Sequence, residues 1–172
     1  MNTQGLIDIG ANLSHPQLYD QLEKIVSNII SSETQSVIIT SSNLEDTIIA
    51  LDIINKYPDL FHTTVGYHPH NAKDFKSEHI DLIDNYCKQK EIVAIGECGL
   101  DYYREYSSVD EQMFCFEKHL MIAEKNDMPI FLHERKAHKD FVSILKKYKD
   151  NINKAVVHCF TGDKSELKSY ID

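Results

Sequence analysis

The sequence has 172 residues, of which 18 are basic and 27 are acidic, so its formal net charge is −9. A surface with this excess of acid repels nucleic acid, and any polyanionic substrate would need cations inside a local cleft. No apolar run approaches the ~20 residues of a membrane helix, and no basic, apolar leader opens the sequence. We therefore expect a soluble, unexported protein of the cytoplasm, or of the nucleus in a eukaryote.

Local patterns predict six strands that alternate with helices along the chain. Short apolar or β-branched runs indicate buried strands, whereas apolar residues at spacings of three and four indicate helices. Pro16 fits the first turn of its helix, and Pro58 ends the next one. In chain order the predicted elements are strand 6–9, helix 15–31, strand 36–40, helix 44–57, strand 61–65, a helix capped by Ser77, strand 92–95, helix 109–126, strand 129–132, helix 137–148, strand 155–157 and a short final helix.

This alternation predicts a fold of the α/β class. Six successive strand-then-helix units require right-handed crossovers and a parallel sheet. No linker, low-complexity run or shift in composition interrupts residues 1–172, so we expect a single domain. A chain of about this length buries ~70% of its unfolded surface, which is enough for one hydrophobic core.

Three of the predicted strands run into a side chain that can bind metal. The fourth strand is followed by Glu97, the fifth by His133 and the sixth by His158. Because the carboxyl ends of parallel strands meet at one edge of a sheet, these side chains are expected to lie close together. Carboxylates and imidazoles bind divalent cations. The pattern therefore predicts a metal site at this edge.

The four cysteines form no CxxC pair, which argues against a zinc knuckle or a thioredoxin-like redox pair. Reduced thiols in a cytosol fit best. Cys98 and Cys159 each follow a predicted ligand by one position. Since side chains alternate along a strand, we expect both thiols to face the covering helices and to serve in packing.

Five motifs resemble the TatD-related metal-dependent deoxyribonucleases, which belong to the metallohydrolases with a TIM-barrel-like (β/α)8 fold. GECGLD at residues 96–101, HER at 133–135 and HCFTG at 158–162 carry most of the resemblance. GYHPH at 66–70 and DIGANL at 8–13 match as well, in the family's order. The resemblance extends over nearly the whole chain and implies that its six strands are the first six βα units of the barrel.

The resemblance also implies roles for particular residues. Glu97 would bridge two divalent ions, which would be Mg, Mn or Zn, while His133 and His158 would hold one of them. An ion lowers the pKa of its bound water from ~15.7 to as little as ~7, which supplies a hydroxide for attack on phosphorus. His68 and Arg135 match family positions near the substrate phosphate, so the expected catalytic residues are Glu97, His68 and Arg135.

The sequence departs from the family pattern in two places. Many relatives carry a His-x-His pair after the first strand, where this sequence has Gly10 and Asn12. One branch of the family shows a similar stretch, so the difference marks a subgroup in which the second ion has fewer protein ligands. The family also continues for two more strands, the last of which ends in a metal-binding aspartate. Asp163 and Asp172 follow the sixth strand and do not match that position.

The residues themselves predict metal-assisted hydrolysis, and the resemblance implies that the substrate is DNA, cleaved by a metal-activated water as in a 3′–5′ exonuclease acting on single-stranded ends. No membrane partner is expected. Two alternatives stay open. One is a catalytically weak or inert truncated barrel that acts as an interaction module. The other is the same metal site used on another ester or amide, since one fold serves many substrates. The oligomeric state is not indicated.

Several other residues have an ordinary interpretation beside a functional one. His79, His119 and His138 lie in helical segments and are expected to be surface or boundary residues. His70 either shares the barrel mouth with His68 or binds a loop carbonyl. Asp101 either orients a ligand or caps a turn. Tyr102 and Tyr103 either stack on a base or pack.

Overall fold

Six parallel strands form one sheet in the order of the chain in this computed structural model, which describes residues 5–152 and 154–171. Each strand pairs with its successor in sequence. The α/β class and the parallel sheet predicted from the sequence are confirmed, and the sequential strand order agrees with the barrel that the resemblance implies. The strands are β1 (Leu6–Ala11), β2 (Thr34–Ile39), β3 (Phe61–Val65), β4 (Ile92–Asp101), β5 (Ile130–Arg135) and β6 (Ala155–Val157).

Helices connect the strands and cover the sheet. They are α1 (Pro16–Tyr19), α2 (Leu22–Ile30), α3 (Leu44–Lys56), α4 (Glu78–Tyr86), α5 (Val109–Asn126), α6 (His138–Leu145) and α7 (Lys164–Ile171), with a 3-10 helix at Pro69–Asp74. Among the residues that the structure describes, none of these helices is long and apolar enough to span a bilayer.

The predicted helix 15–31 is in fact two helices. The Gln21 N–H donates to the Leu18 carbonyl at 3.0 Å, a bond between residues three apart that ends α1. The chain then turns and starts α2 at Leu22. Pro16 occupies the first turn of α1, as predicted. The apolar spacing predicted one helix because α1 and α2 both contribute apolar side chains, and spacing does not reveal the break between them.

Helix α5 begins and ends where the sequence predicts. The Ser108 hydroxyl accepts from the Glu111 N–H, and the Glu111 carboxylate accepts from the Ser108 N–H. This capping box satisfies two backbone donors that the first turn leaves unpaired. At the other end Asp127 takes a left-handed conformation with φ of 51°, which stops the helix.

The sheet curls into a half-barrel. A Cβ placed on Gly10 of β1 would lie 3.6 Å from Cζ of Phe131 on β5, so these strands approach each other across the concave side. Helices α4 to α6 cover the outer side of β3 to β5, and α2 with α3 covers β2 and the start of β3, whereas residues 6–10 of β1 are exposed. The carboxyl ends of all six strands consequently open to one mouth.

Strand β4 extends beyond the predicted strand and contains an irregularity. Ile95 pairs with Ile130 and Cys98 with Leu132, so three residues of β4 oppose two of β5. Ile95 and Cys98 both pack in the same buried cluster despite their spacing of three. A bulge of this kind redirects the side chains between its ends, and Glu97 is one of them. Because β4 continues to Asp101, Glu97 lies within the strand instead of after it.

Two glycines allow β4 to pass close to β5 beside Glu97. Gly96 and Gly99 have φ of 132° and 144°, values that side chains rarely adopt. A Cβ on Gly99 would lie 1.9 Å from the carbonyl oxygen of His133. The glycines of the GECG motif are thus required by backbone geometry.

Candidate metal centre

Glu97 lies at the centre of a group of imidazoles at the barrel mouth. It is 6% exposed. His133 Nδ1 lies 3.0 Å from Glu97 Oε1, and His158 Nε2 contacts the same oxygen. His68 Nε2 lies 3.7 Å from that oxygen. Four of the five predicted site residues therefore meet at one carboxylate.

Different elements supply the three imidazoles. His133 lies on β5, opposite Gly99 in the register of the sheet. His158 follows β6, and its N–H donates to the Leu132 carbonyl at 3.0 Å. His68 precedes the 3-10 helix, and its N–H donates to the Ser42 carbonyl at 3.0 Å. Strand pairing and backbone hydrogen bonds thus place the backbone of all three residues at the mouth.

The charge state of the group follows from these contacts. Burial alone raises the pKa of the Glu97 carboxyl, but hydrogen bonds from His133 and His158 outweigh it and hold that pKa well below its ordinary value. Burial lowers the pKa of His68 to about 3, against the attraction of Glu97. Burial also acts to lower the pKa of His133, yet the contacts with Glu97 and Asp101 together raise it. The group therefore combines an ionised carboxylate with a neutral His68.

Asp101 is a second buried carboxylate beside this group. Its Oδ2 lies 2.7 Å from His70 Nε2 and 3.3 Å from His133 Nε2. Its Oδ1 accepts from the N–H groups of Tyr103 and Arg104. Both interpretations of Asp101 given above thus describe real contacts, since it touches a site imidazole and also caps the following turn.

A cavity of about 620 Å³ opens over the group. Glu97, His68, His133 and His158 line it. Further lining residues are Asn12, Ser42, His70, Asn71, Lys73, Tyr106 and Cys159. Arg135, the fifth predicted site residue, is outside this lining, and its guanidinium carbon lies 4.0 Å from the centre of the Tyr103 ring.

Two expectations about single residues were wrong. Cys159 is exposed and lines the cavity, because β6 ends at Val157 and strand alternation no longer applies. His119 is fully buried. Its Nε2 accepts from the Tyr67 N–H at 3.0 Å, and its Nδ1 lies 2.7 Å from the Cys115 carbonyl. Cys98 is buried among helix-facing residues, as expected.

The sequence is similar to a known protein family and to curated relatives. A model described as TatD related DNase matches residues 7–172. The chain belongs to this family. Curated TatD-family relatives include the 3′-5′ ssDNA/RNA exonuclease TatD of Erwinia tasmaniensis, which is 35% identical over 95% of this chain and 63% of its own length. The protein of that name from Citrobacter koseri is 35% identical over 97% of this chain and 64% of its own length. The chain thus spans less than two thirds of these TatD proteins.

Solved TatD-family structures share the fold. A hydrolase of this family from Entamoeba histolytica superposes with a TM-score of 0.88 and 31% identity, over 98% of this chain and 62% of that one. A TatD homologue from Escherichia coli has a TM-score of 0.87 at 21% identity, over 96% of this chain and 64% of that one, a likeness that concerns the fold alone. The expected TatD-type barrel architecture is confirmed.

The donors of this group fit a divalent cation. One donor atom each from His68, Glu97 and His133 lies within 4.8 Å of the other two, and this is the one such group in residues 5–152 and 154–171. One carboxylate with imidazoles is a donor set suited to Zn or Mn and compatible with other divalent ions. His158 adds a third imidazole at the same carboxylate oxygen.

Proposed function

We propose that this chain carries a metal-dependent phosphodiesterase site that hydrolyses nucleic acid at single-stranded ends, as a 3′–5′ exonuclease. The observation that carries the proposal is the convergence of three imidazoles on Oε1 of the buried Glu97 under an open cavity. The names of the curated relatives, 3′-5′ ssDNA/RNA exonucleases, support nucleic acid as the substrate.

Glu97, His133 and His158 are the proposed metal ligands. His133 suits this role because its Nε2 faces Asp101 and its Nδ1 faces Glu97. An imidazole whose outer nitrogen donates to a carboxylate keeps its other lone pair for a cation. A bound ion would supply an acidified water and neutralise charge on the phosphate.

His68 is assigned to the substrate side of the site. Its Nδ1 accepts from the His70 N–H at 3.1 Å, so the neutral ring carries its proton on Nε2. Although His68 belongs to the cluster of potential donor atoms, this protonated nitrogen would donate to a phosphate oxygen instead of binding the cation. The low pKa of His68 keeps the ring neutral at physiological pH.

A second ion would have few protein ligands. Asn12 lines the cavity just after β1, at a position where the family resemblance implies a histidine. An amide oxygen is a weaker ligand for a transition metal than an imidazole. We propose that Glu97 and Asn12 hold this ion and that it binds less tightly than the first. Arg135 remains a proposed phosphate-binding residue, which would approach the substrate from beside Tyr103.

Cleavage of end-labelled oligonucleotides tests the proposal. A 5′-labelled single strand with Mg, Mn or Zn should give a ladder that shortens from the 3′ end, and Glu97→Gln should abolish it. Glu33→Gln, at an exposed position far along the chain from the site, is the matched control. Cleavage by Glu97→Gln at the wild-type rate would refute the role of Glu97 as a metal ligand. Hydrolysis of other esters without any action on oligonucleotides would refute nucleic acid as the substrate.

A further inference from the structure

The loop 102–108 at the cavity rim is held rigidly by buried polar groups. At its start, Asp101 Oδ1 accepts from the N–H groups of Tyr103 and Arg104 at 2.9 and 3.0 Å. At its end, the Ser107 hydroxyl donates to the His70 carbonyl at 3.1 Å and accepts from the Lys73 N–H at 3.1 Å. Both ends are thereby tied to elements that form the metal site.

Gln112 joins the two ends of this loop. It is 1% exposed. Its Nε2 donates to the carbonyls of Asp101 and Ser107 at 3.1 and 2.9 Å, and its Oε1 accepts from the Asp101 N–H at 2.8 Å. A fully bonded buried amide of this kind rigidifies the backbone around it. The loop therefore presents its side chains in a fixed arrangement.

Tyr106 is the tyrosine that this loop places in the cavity wall. It is 54% exposed, and its ring centre lies 4.8 Å from that of His70 in an edge arrangement. The two other tyrosines of the loop are engaged elsewhere. Tyr102 donates to Asp140, and Tyr103 stacks with the guanidinium of Arg135. An exposed aromatic ring on a rigid loop can bind a planar ligand at little entropic cost.

The charge of the site favours stacking over a long phosphate-binding groove. Of the described residues that line the cavity, Lys73 is the one lysine or arginine. The formal net charge of the chain is −9. Affinity for a polyanion therefore cannot come from many ion pairs, whereas base stacking on an aromatic ring is insensitive to net charge and tolerant of sequence.

We propose that Tyr106 is a stacking platform for a nucleobase next to the scissile phosphate, with Lys73 beside that nucleotide's phosphate. This inference rests on the function proposed above and specifies its substrate: a short single-stranded end whose base is unpaired. Inside a duplex both faces of a base are stacked on neighbouring pairs, so a base must be unstacked before it can reach the platform.

A double-mutant cycle between protein and substrate tests the platform. Loss of one stacked base weakens binding about 5- to 150-fold by the usual range for such contacts, so Tyr106→Ala should lower kcat/KM for single strands by that factor. Tyr106→Phe keeps the ring and should retain most of the activity. The comparison is repeated on oligonucleotides that lack one base, at either the terminal or the penultimate 3′ position. At the position whose base stacks on Tyr106, wild type and Tyr106→Ala should have equal kcat/KM.

Fluorescence gives a measurement that does not need turnover. A 3′-terminal or penultimate 2-aminopurine should be quenched on binding to wild type and to Tyr106→Phe, and much less on binding to Tyr106→Ala. Thermal melting of both variants checks that the fold is retained. Equal quenching by all three proteins, or a loss of activity on Tyr106→Ala that is the same with and without the base, would overturn the platform.

Failure of this inference is distinguishable from failure of the proposed function. If wild type binds and cleaves single strands while Tyr106→Ala differs less than about twofold, well below the usual range for a stacked base, the platform is refuted and the nuclease stands. If wild type neither binds nor cleaves any single strand with Mg, Mn or Zn, the nuclease proposal fails and the platform fails with it.

Discussion

His133 Nε2 lies 3.3 Å from Asp101 Oδ2, on the side of the imidazole ring opposite its contact with Glu97. Asp101 is 1% exposed, and it also holds His70 and the turn at Tyr103. This carboxylate thus connects the proposed metal ligand with the loop that forms the cavity rim. Asp101 was one of the residues whose role the sequence left open, and its contacts suggest the first prediction.

Asp101→Asn should weaken metal binding roughly 10- to 100-fold, because a neutral amide no longer stabilises the proton on His133 Nε2. Asparagine keeps an oxygen for the turn at Tyr103 and Arg104, so the melting temperature should change little. Calorimetric titration with Mn or Zn measures the affinity. Asp59→Asn, at an exposed position, is the control. Equal affinity in the Asn variant and wild type would show that this contact does not support a ligand.

Metal affinity should rise with pH through and above the ordinary imidazole range. The contacts of His133 with Glu97 and Asp101 raise its pKa, so the folded protein binds a proton there above pH ~6.5. A cation at Nδ1 must displace that proton, and affinity is then expected to increase up to about tenfold per pH unit until the proton is lost. Titrations at pH 6 and pH 8 in buffers of different ionisation enthalpy measure both the affinity and the released proton. An affinity that is independent of pH would contradict ligation by His133.

Protonation of His119 should destabilise the fold in mild acid. Burial lowers its pKa to about 4, whereas the unfolded chain has the ordinary value of ~6.5. The unfolded state therefore binds the extra proton first, and stability is full above pH 6.5 and declines as the pH falls toward 4. Protonation of this residue should lower the free energy of unfolding by about 3 kcal/mol once the pH has fallen to 4.

Urea unfolding at pH 7.5 and pH 4.5 tests this expectation. His119→Gln should be less stable than wild type at pH 7.5, since it disturbs the bond to the Tyr67 N–H. The difference between the two proteins should shrink at pH 4.5. His15→Asn replaces an exposed histidine and should follow the wild-type pH dependence. A difference that stays constant between the two pH values would mean that His119 is not the titrating group.

Gly99→Ala should destabilise the protein far more than Gly10→Ala. A Cβ on Gly99 would meet the His133 carbonyl oxygen at 1.9 Å, and the φ of 144° is unfavourable for alanine. The cost is expected to be about 3 kcal/mol or more. At Gly10 the nearest atom would be Phe131 Cζ at 3.6 Å, which is an ordinary contact. The melting temperature of Gly10→Ala should therefore stay close to that of wild type. Similar melting temperatures for the two variants would contradict the close approach of β4 and β5.

Residue pattern alone was sufficient to predict the α/β class, a parallel sheet and three of the imidazole and carboxylate side chains that meet at the mouth, and the barrel's sequential strand order followed from the family resemblance. Parallel strands joined by helices place their carboxyl ends together, so Glu97, His133 and His158 are neighbours as a consequence of local pattern and chain topology. The bounds of β3, α5 and β6 were also predicted as the structure has them, because each is delimited by strong local signals.

Only the tertiary structure decided the features that depend on contacts distant in sequence. The bulge in β4 that accompanies the inward Glu97 arises from the pairing of β4 with β5, and local alternation cannot reveal it. His119 is buried because its nitrogen meets the Tyr67 N–H, 52 residues away, and helical spacing does not report such a partner. Cys159 and Tyr106 reach the cavity because chain turns carry them there. Residue pattern determines which face of an element is apolar, whereas the packing of elements determines which polar groups find one another.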